Sequence, residues 1–452
     1  MPDTSINRIS SLSGIFKISA FLLLAIFFIL SRPGTHGQLL TENNPDFSVR
    51  SGTGPLIALP DSVTSNEDHL INFQGGKLEG IFVLEKFIID TTINEGDGQS
   101  VADINRDGTN NLVVGTGNGG EVYWYEKVPA GNWQRHLVSK GYREVEGTIA
   151  GDFDNDGQTE IIILDQRGNK VDIAKQVTND PGGEWLTLTL DPHANYVQQG
   201  IIMDVTGNGY PDFIYAFEGS SEGDGGFYWM ENKDGNLLDP DNWEKHEIQQ
   251  IEGAWWIDHN SPRDWGGYGA GDIAVSVREV RGRNPGSVNG GIYILKQPSN
   301  PRDKWIKEAV DTSFPVLQVS SGDLTGNGDE RDLVAGACHD SEHTGLFIYD
   351  FSNVWQRTEV ESRHNWWGTY AFDINRNGRA EIISGERTGN TIRIYAYNDT
   401  LKRYELQVSD PFLKPDDQII FEDIDGNGNK TEFFVGSDPD GVFWYRAFRL
   451  QY

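Results

Sequence analysis

One nine-residue pattern recurs along this chain, and it constrains the fold more than any other feature. Its fullest copy is Asp152-Phe153-Asp154-Asn155-Asp156-Gly157-Gln158-Thr159-Glu160, followed by the apolar run Ile161-Ile162-Ile163-Leu164. Oxygen-bearing side chains at positions 1, 3, 5 and 9, with a glycine at 6 that permits a sharp turn, make a calcium-loop pattern leading into a strand. Related copies begin at Asp103, Asp204, Asp323, Asp373 and Asp423, at successive spacings of 49, 52, 119, 50 and 50 residues. The gap of 119 hides one more unit, in which Asp264 and Asp272 keep the first and ninth positions while Trp265 to Gly271 replace most ligands between them. Seven units with a period of about 50 residues signal a propeller or a solenoid.

Each unit has room for four short strands. In the second they are Thr148 to Gly151, Glu160 to Leu164, Lys170 to Ala174 and Trp185 to Leu190, bounded by Gly, Asn or Asp, so consecutive strands should pair as antiparallel hairpins. Third strands such as Val122-Tyr123-Trp124-Tyr125 and Val442-Phe443-Trp444-Tyr445 are apolar throughout, as expected where neighbouring blades cover both faces. The last unit stops one strand short, and a surplus strand, Phe82 to Ile89, precedes the first. Pairing surplus with deficit closes the ring and removes two exposed edges. The expected fold is all-β: a seven-bladed propeller of four-stranded antiparallel blades over residues 80–452, with the N-terminal strand completing the last blade.

With 37 basic against 68 acidic residues among 452, the net charge of −31 excludes nucleic acid and anionic membrane as electrostatic partners. Much of the negative charge lies in the repeated loops, where bound cations would offset it. Cys338 is the one cysteine, so packing and metal must supply what disulfides cannot. Residues 1–37 read as a secretory signal, with Arg8 and Lys17 ahead of an apolar core from Ile18 to Leu30. At about 13 residues that core is short for a spanning helix, although a retained anchor is the alternative. Either way the globular part should lie outside the cytosol. Residues 38–79 are polar and without periodicity, and read as a linker or surface extension. Asn398-Asp399-Thr400 would be a glycosylation acceptor in a host that glycosylates.

The loops and the strand after each resemble the repeats called FG-GAP or VCBS, found in integrin α-chain propellers and many secreted microbial proteins. Fungal propeller lectins and the propeller part of aldos-2-ulose dehydratase are similar in kind, the latter in its Trp-x-x-His outer strands, here Trp133 to His136 and Trp243 to His246. The resemblance implies calcium ligands at Asp103, Asn105, Asp107 and Asn111; at Asp152, Asp154, Asp156 and Glu160; at Asp204, Thr206, Asn208 and Asp212; and at Asp373, Asn375, Asn377 and Glu381. It also implies Asp323, Thr325 and Asn327, and Asp423, Asp425 and Asn427, in two loops with an extra residue, whose ninth positions are Arg331 and Thr431. A hydrogen-bonded Asx turn without metal is the alternative for any single loop.

Strands alternate direction within a blade, so all calcium loops lie on one face. The connections entering each first strand, and those joining second to third strands, lie on the other. Those connections hold Tyr142-Arg143-Glu144, His193 to Tyr196, Trp255-Trp256 and Arg363-His364-Asn365-Trp366-Trp367, together with Arg278 to Arg283, Cys338 to His343 and Glu386-Arg387. Tryptophan beside Arg, His and Asn suits a sugar, with flat rings for C–H faces and fixed polar groups for hydroxyls. Carbohydrate is therefore the expected ligand, with Trp255, Trp256, Tyr196, Arg363, Asn365, Trp366 and Trp367 as contacts; the four tryptophans packing between blades is the alternative. Chemistry, if any, would come from His339, His343, His364 and His193, holding zinc or acting as base, with Tyr142 or Tyr196 as acid and Arg143 or Arg363 neutralising a substrate carboxylate. A polysaccharide lyase or sugar dehydratase is thus the second reading, and a protein-adhesion module the third.

Overall fold

Seven antiparallel sheets, each begun by a strand at the axis, carry the chain once around a ring. The computed structural model describes residues 49–51, 67–73 and 82–449, except 129–131, 179, 181, 220–224, 267–270, 279–289, 338–343, 363–365, 411–414, 425–429 and 438–440. The first blade comprises Gly96–Ala102, Asn111–Thr116, Glu121–Lys127 and Trp133–Lys140, and the second Val145–Gly151, Glu160–Asp165, Lys170–Gln176 and Trp185–Asp191. The fourth, hidden in the long sequence gap, comprises Ala254–Ile257, Ile273–Val277, Gly291–Lys296 and Ile306–Asp311.

The seventh blade closes as its sequence demands. Pro415–Glu422, Glu432–Ser437 and Gly441–Arg449 are followed in the sheet by Phe82–Asp90, with Leu84 opposite Ala447 and Phe87 opposite Trp444. Phe87 and Trp444 stack with centroids 3.9 Å apart. Two further strands, Glu67–Phe73 and Val49–Ser51, extend this sheet outward. They fall within 38–79, where the sequence shows no periodicity, because an added strand takes its order from the edge it pairs with.

Burial explains the composition of each strand. The second strands are buried at every position, as in Glu160–Asp165 and Asp332–Ala337, because inner and outer neighbours and the adjoining blades enclose them. Each fully buried Ile or Leu there contributes about 1.5–3 kcal/mol. Outer strands face solvent on one side, so Gln356–Ser362 is largely exposed. The outer-strand histidines are part of this packing. His136 stacks on Trp124 at 4.1 Å and His246 on Trp229 at 4.4 Å, with His246 Nε2 2.8 Å from Glu231 Oε2.

Side chains of one blade also tie the next, a feature the repeat pattern does not reveal. At four seams an aspartate ending an outer strand accepts from a tyrosine of the following blade: Tyr125 to Asp90 (3.0 Å), Tyr215 to Asp191 (2.7 Å), Tyr349 to Asp311 (3.0 Å) and Tyr445 to Asp410 (2.6 Å). A cation from the same following blade completes each latch, namely Arg135, Lys245, Arg357 and Lys86. Near the axis, glutamines satisfy the inner-strand amides of the next blade. Gln199 Oε1 accepts from Ile257 (3.2 Å), Gln318 Oε1 from Thr369 (2.6 Å), and Gln418 Oε1 from Gln99.

Candidate calcium loops and ligand face

The repeated loops share one hydrogen-bonded frame. In the second blade both oxygens of Asp152 accept backbone amides, from Asp156 (3.1 Å) and Gly157 (2.9 Å), and Glu160 accepts from Phe153 (3.0 Å). The same first-position bonds recur at Asp103, Asp204, Asp323 and Asp373. The turn requires left-handed backbone at the sixth residue, where Gly157 has φ of 80°, which glycine adopts without strain. In the first, second, third and sixth loops the ninth side chain is buried and fastens the loop's second amide, as Asn111, Glu160, Asp212 and Glu381 do.

The fifth-blade loop accommodates the extra residue that its sequence carries before Asp332. Asp332, rather than Arg331, takes the ninth-position role and accepts from the Thr325 amide (3.0 Å). The extra residue is absorbed in the turn, where Arg331 pairs with Asp329 (2.7 Å). In the seventh blade Glu432 likewise opens the second strand and is buried, while Asp425 and Asn427 lie outside the described residues.

The residues of the second loop fit a divalent cation in their donors: oxygens of Asp152, Asp154 and Asp156 lie within 4.8 Å of one another. These hard carboxylate oxygens, with the buried Glu160, are the set calcium prefers. One ammonium also lies here. Lys175 Nζ is 2.6 Å from Asp154, 2.9 Å from Asp156 and 2.9 Å from Glu160. Burial works against its charge, but hydrogen bonds to Asp154, Glu160 and Asp156 outweigh burial and hold its pKa above the ordinary lysine range. In the third loop burial pushes the Asp212 carboxyl up to about 7 despite amide hydrogen bonds from Asn232, Thr206 and Val205.

The fourth blade has a different structure in place of a calcium loop. Residues after Ile257 reach across the axis: Asp258 accepts from the amide (3.1 Å) and hydroxyl (2.5 Å) of Ser321, and Asn260 Nδ2 donates to Ser321 O (2.7 Å) and Ala371 O (3.4 Å). His259 stacks on Trp256 (5.2 Å), lies 5.9 Å from the Tyr370 ring and contacts Gln199. One short segment thereby joins blades three, four, five and six. Asp272 retains the ninth-position bond, accepting from Trp265 (3.0 Å). Burial pushes the His259 pKa down to about 4. In a pH titration of histidine-labelled protein, assigned with His259→Asn, this ring should keep its neutral signature to about pH 5. An exposed histidine would change near 6.5, and such a midpoint would remove His259 from the closed axis.

Beside that segment an open cleft of about 760 Å³ lies on the loop face, lined by Pro262, Arg263, Asp264 and residues 327–331. Its cations are matched by carboxylates, Arg263 with Glu330 (2.6 Å) and Arg331 with Asp329 (2.7 Å).

On the opposite face the structure separates the residues that sequence grouped as ligand contacts. Trp255, Trp256, Trp366 and Trp367 are 1%, 3%, 0% and 7% exposed and fill space between blades. Guanidiniums lie against three of them: Arg278 3.3 Å over Trp255, Arg387 4.0 Å over Trp367 and Arg393 5.5 Å from Trp366. Arg278 also pairs with the equally buried Glu218 at 2.6 Å. These indoles are packing elements, since a paired aromatic at the start of an inner strand fills the wedge between sheets. Arg363, Asn365, His339, His343 and His364 lie outside the described residues. His193 and Arg143 are exposed, and Tyr142 is half-buried, with Lys170 4.7 Å over its ring and Ser139 3.2 Å from its hydroxyl. Burial raises the Tyr142 phenol above its ordinary range.

Tyr196 is half-buried at this face and holds a left-handed backbone, φ 61°. Asn169 Oδ1 accepts its amide (3.1 Å), and its own carbonyl accepts the Glu218 amide (3.1 Å). The residue before the inner strand of the fourth blade is Gly253, φ 79°, and in the first blade it is Glu95, φ 58°, which accepts the Asn118 amide with its side chain (3.0 Å). Left-handed backbone thus stands at this position in blades one, three and four, and an aromatic residue adopts it at a cost of about 1 kcal/mol or more.

Comparison with known proteins adds little beyond the repeat itself. No curated protein matches the chain. Among solved structures that of the Dos1 propeller is similar, with 12% identity, a TM-score of 0.47, and coverage of 74% of this chain and 75% of that one. Residues 103–163, spanning the first loop to the second blade's second strand, match the family model of the FG-GAP-like repeat, and that repeat lies within a seven-bladed β-propeller.

Proposed function

We propose that this protein is a secreted, calcium-stabilised propeller that binds extracellular carbohydrate on the face opposite its loops and leaves it chemically unchanged. Support for secretion comes from the apolar segment Ile18 to Leu30 behind Arg8 and Lys17. Among the described residues no helix is long and apolar enough to cross a membrane. Support for calcium comes from the recurrence in phase of oxygen-lined loops that share one hydrogen-bonded frame, as at Asp103, Asp204 and Asp373.

The observation that carries the ligand reading is Tyr196. A strained aromatic occupies a site where the fourth blade uses glycine, and strain of this kind collects at binding sites. Asn195 and His193 belong to the same loop, and Tyr142 and Arg143 stand in the corresponding loop of the preceding blade, so this face carries the polar groups and flat rings that a sugar needs. The lyase or dehydratase reading has less to stand on. Among the described residues neither cluster able to hold a metal includes His193.

Tyr196→Gly tests the reading, because glycine accepts the backbone but offers no ring. On a glycan array followed by calorimetry, the variant should melt within about 2 °C of wild type, relief of strain offsetting lost packing. It should bind the best glycan at least about tenfold more weakly, the effect of losing roughly 1.4 kcal/mol of stacking. Unchanged affinity would overturn the assignment of this face.

A further inference from the structure

We infer that Lys175 is the resident cation of the second blade's loop: its ammonium holds the position a calcium ion would take, so this loop closes without metal. The inference concerns which loops take calcium and so rests on the calcium reading of the others. The loop that matches the calcium pattern best in sequence is, by this account, the one that needs the ion least.

Three observations carry it. An ammonium has three N–H donors, and Lys175 directs them to three different carboxylates, Asp154 (2.6 Å), Asp156 (2.9 Å) and Glu160 (2.9 Å). These are the third, fifth and ninth residues of the pattern, so a calcium ion using the same oxygens would have to displace the lysine. Calcium and the ammonium are therefore competitors for one cage.

Register supplies the second observation. Ala174 pairs with Ile161, which places Lys175 opposite Glu160, facing the ninth position across the hairpin. Counting the same step in the other blades puts Glu126 opposite Asn111, Glu231 opposite Asp212, Asp350 opposite Asp332 and Ala396 opposite Glu381. None of those four is a cation. The position is basic in the fourth blade, where Lys296 follows Leu295 and the loop has lost most of its ligands.

Blade seven supplies the third. Arg446 is directly opposite Glu432, its Nε 3.6 Å from Oε1. A positive side chain facing the ninth residue thus marks blades two, four and seven, and a neutral or acidic one marks blades one, three, five and six. A fixed cation that close to the ligands would oppose a divalent ion by direct repulsion as well as by occupancy.

Lys175→Met keeps the apolar stem and removes the charge. Variant and wild type would each be dialysed to equilibrium against millimolar calcium, and bound metal counted per chain as the excess of calcium on the protein side. The variant is expected to hold one more calcium per chain. In chelator it should melt at least about 5 °C below wild type, because three carboxylates are left uncompensated, and calcium should restore most of the loss. If the variant does not survive in chelator, the metal count on calcium-dialysed protein still decides. Equal non-zero counts overturn the inference and leave calcium at the other loops intact. One calcium in the variant and none in wild type upholds the inference and refutes calcium elsewhere. No calcium in either refutes both.

Discussion

Chelating calcium at pH 8 is expected to lower the melting temperature by roughly 2–10 °C. The size follows from mass action. Extracellular sites with dissociation constants of about 10⁻⁴–10⁻³ M each contribute roughly 0.4–1.4 kcal/mol in millimolar calcium. Several such loops, each buried at its ninth residue, together give a few kcal/mol. In a domain of this size each kcal/mol moves the midpoint by about 1–2 °C.

The effect should also depend on pH, with a sign fixed by Asp212. That side chain is fully buried, and its folded-state pKa of about 7 lies above the unfolded value. Without metal the folded state retains a proton that the unfolded chain releases, so this group's contribution is complete below about pH 4 and is lost as pH rises to 7. Calcium needs the ionised carboxylate and must expel that proton at low pH. Calorimetric scans should therefore show a larger calcium-induced rise at pH 8 than at pH 6. A rise that is absent, or larger at pH 6, would count against calcium at the third loop.

Replacing Asp410 by Ala is expected to cost about 3–5 kcal/mol, read as a fall in the denaturant midpoint. Asp410 is 0% exposed and accepts from Tyr445 (2.6 Å) while Lys86 lies 3.5 Å away. Removing it leaves a buried phenol and a nearly buried ammonium without their anion. The site carries more than local stability, because Lys86 belongs to the N-terminal strand and Tyr445 to the C-terminal one. Asp410 thus latches the sixth blade to the seam where the two ends of the chain meet. Asp410→Asn, which keeps an acceptor, should cost about half as much. A change below about 1 kcal/mol for the alanine variant would show that strand pairing alone closes the ring.

The parts of this structure legible in sequence are those written at fixed spacing. Seven Asp-rich turns, apolar runs after them and a spare strand before the first were enough to place every blade, even the fourth, where only Asp264 and Asp272 survive. Ring closure was legible because an unpaired edge is costly at either end. Contacts between blades were not, since a repeat pattern specifies each hairpin and is silent about its neighbour. The latch aspartates occur at four of seven seams and look like ordinary strand ends. Burial of the paired tryptophans was equally hidden: an indole beside His and Arg reads the same whether it lines a cleft or fills the wedge between two sheets. Lys175 is one of three charges in its strand, and only the hairpin register reveals that it faces Glu160. Tyr196 stood in a polar loop, and its meaning depends on a backbone angle that no spacing encodes.

Whether this propeller binds sugar and leaves it unchanged is tested most directly by proton NMR. Spectra of a panel of neutral and uronic oligosaccharides would be recorded with calcium-loaded mature protein, before and after incubation, and repeated with Tyr196→Gly. The account predicts broadened but chemically unchanged lines for at least one sugar, with the broadening lost in the variant. New olefinic or altered anomeric signals would instead make the protein an enzyme, and no effect on any sugar would contradict carbohydrate as its ligand.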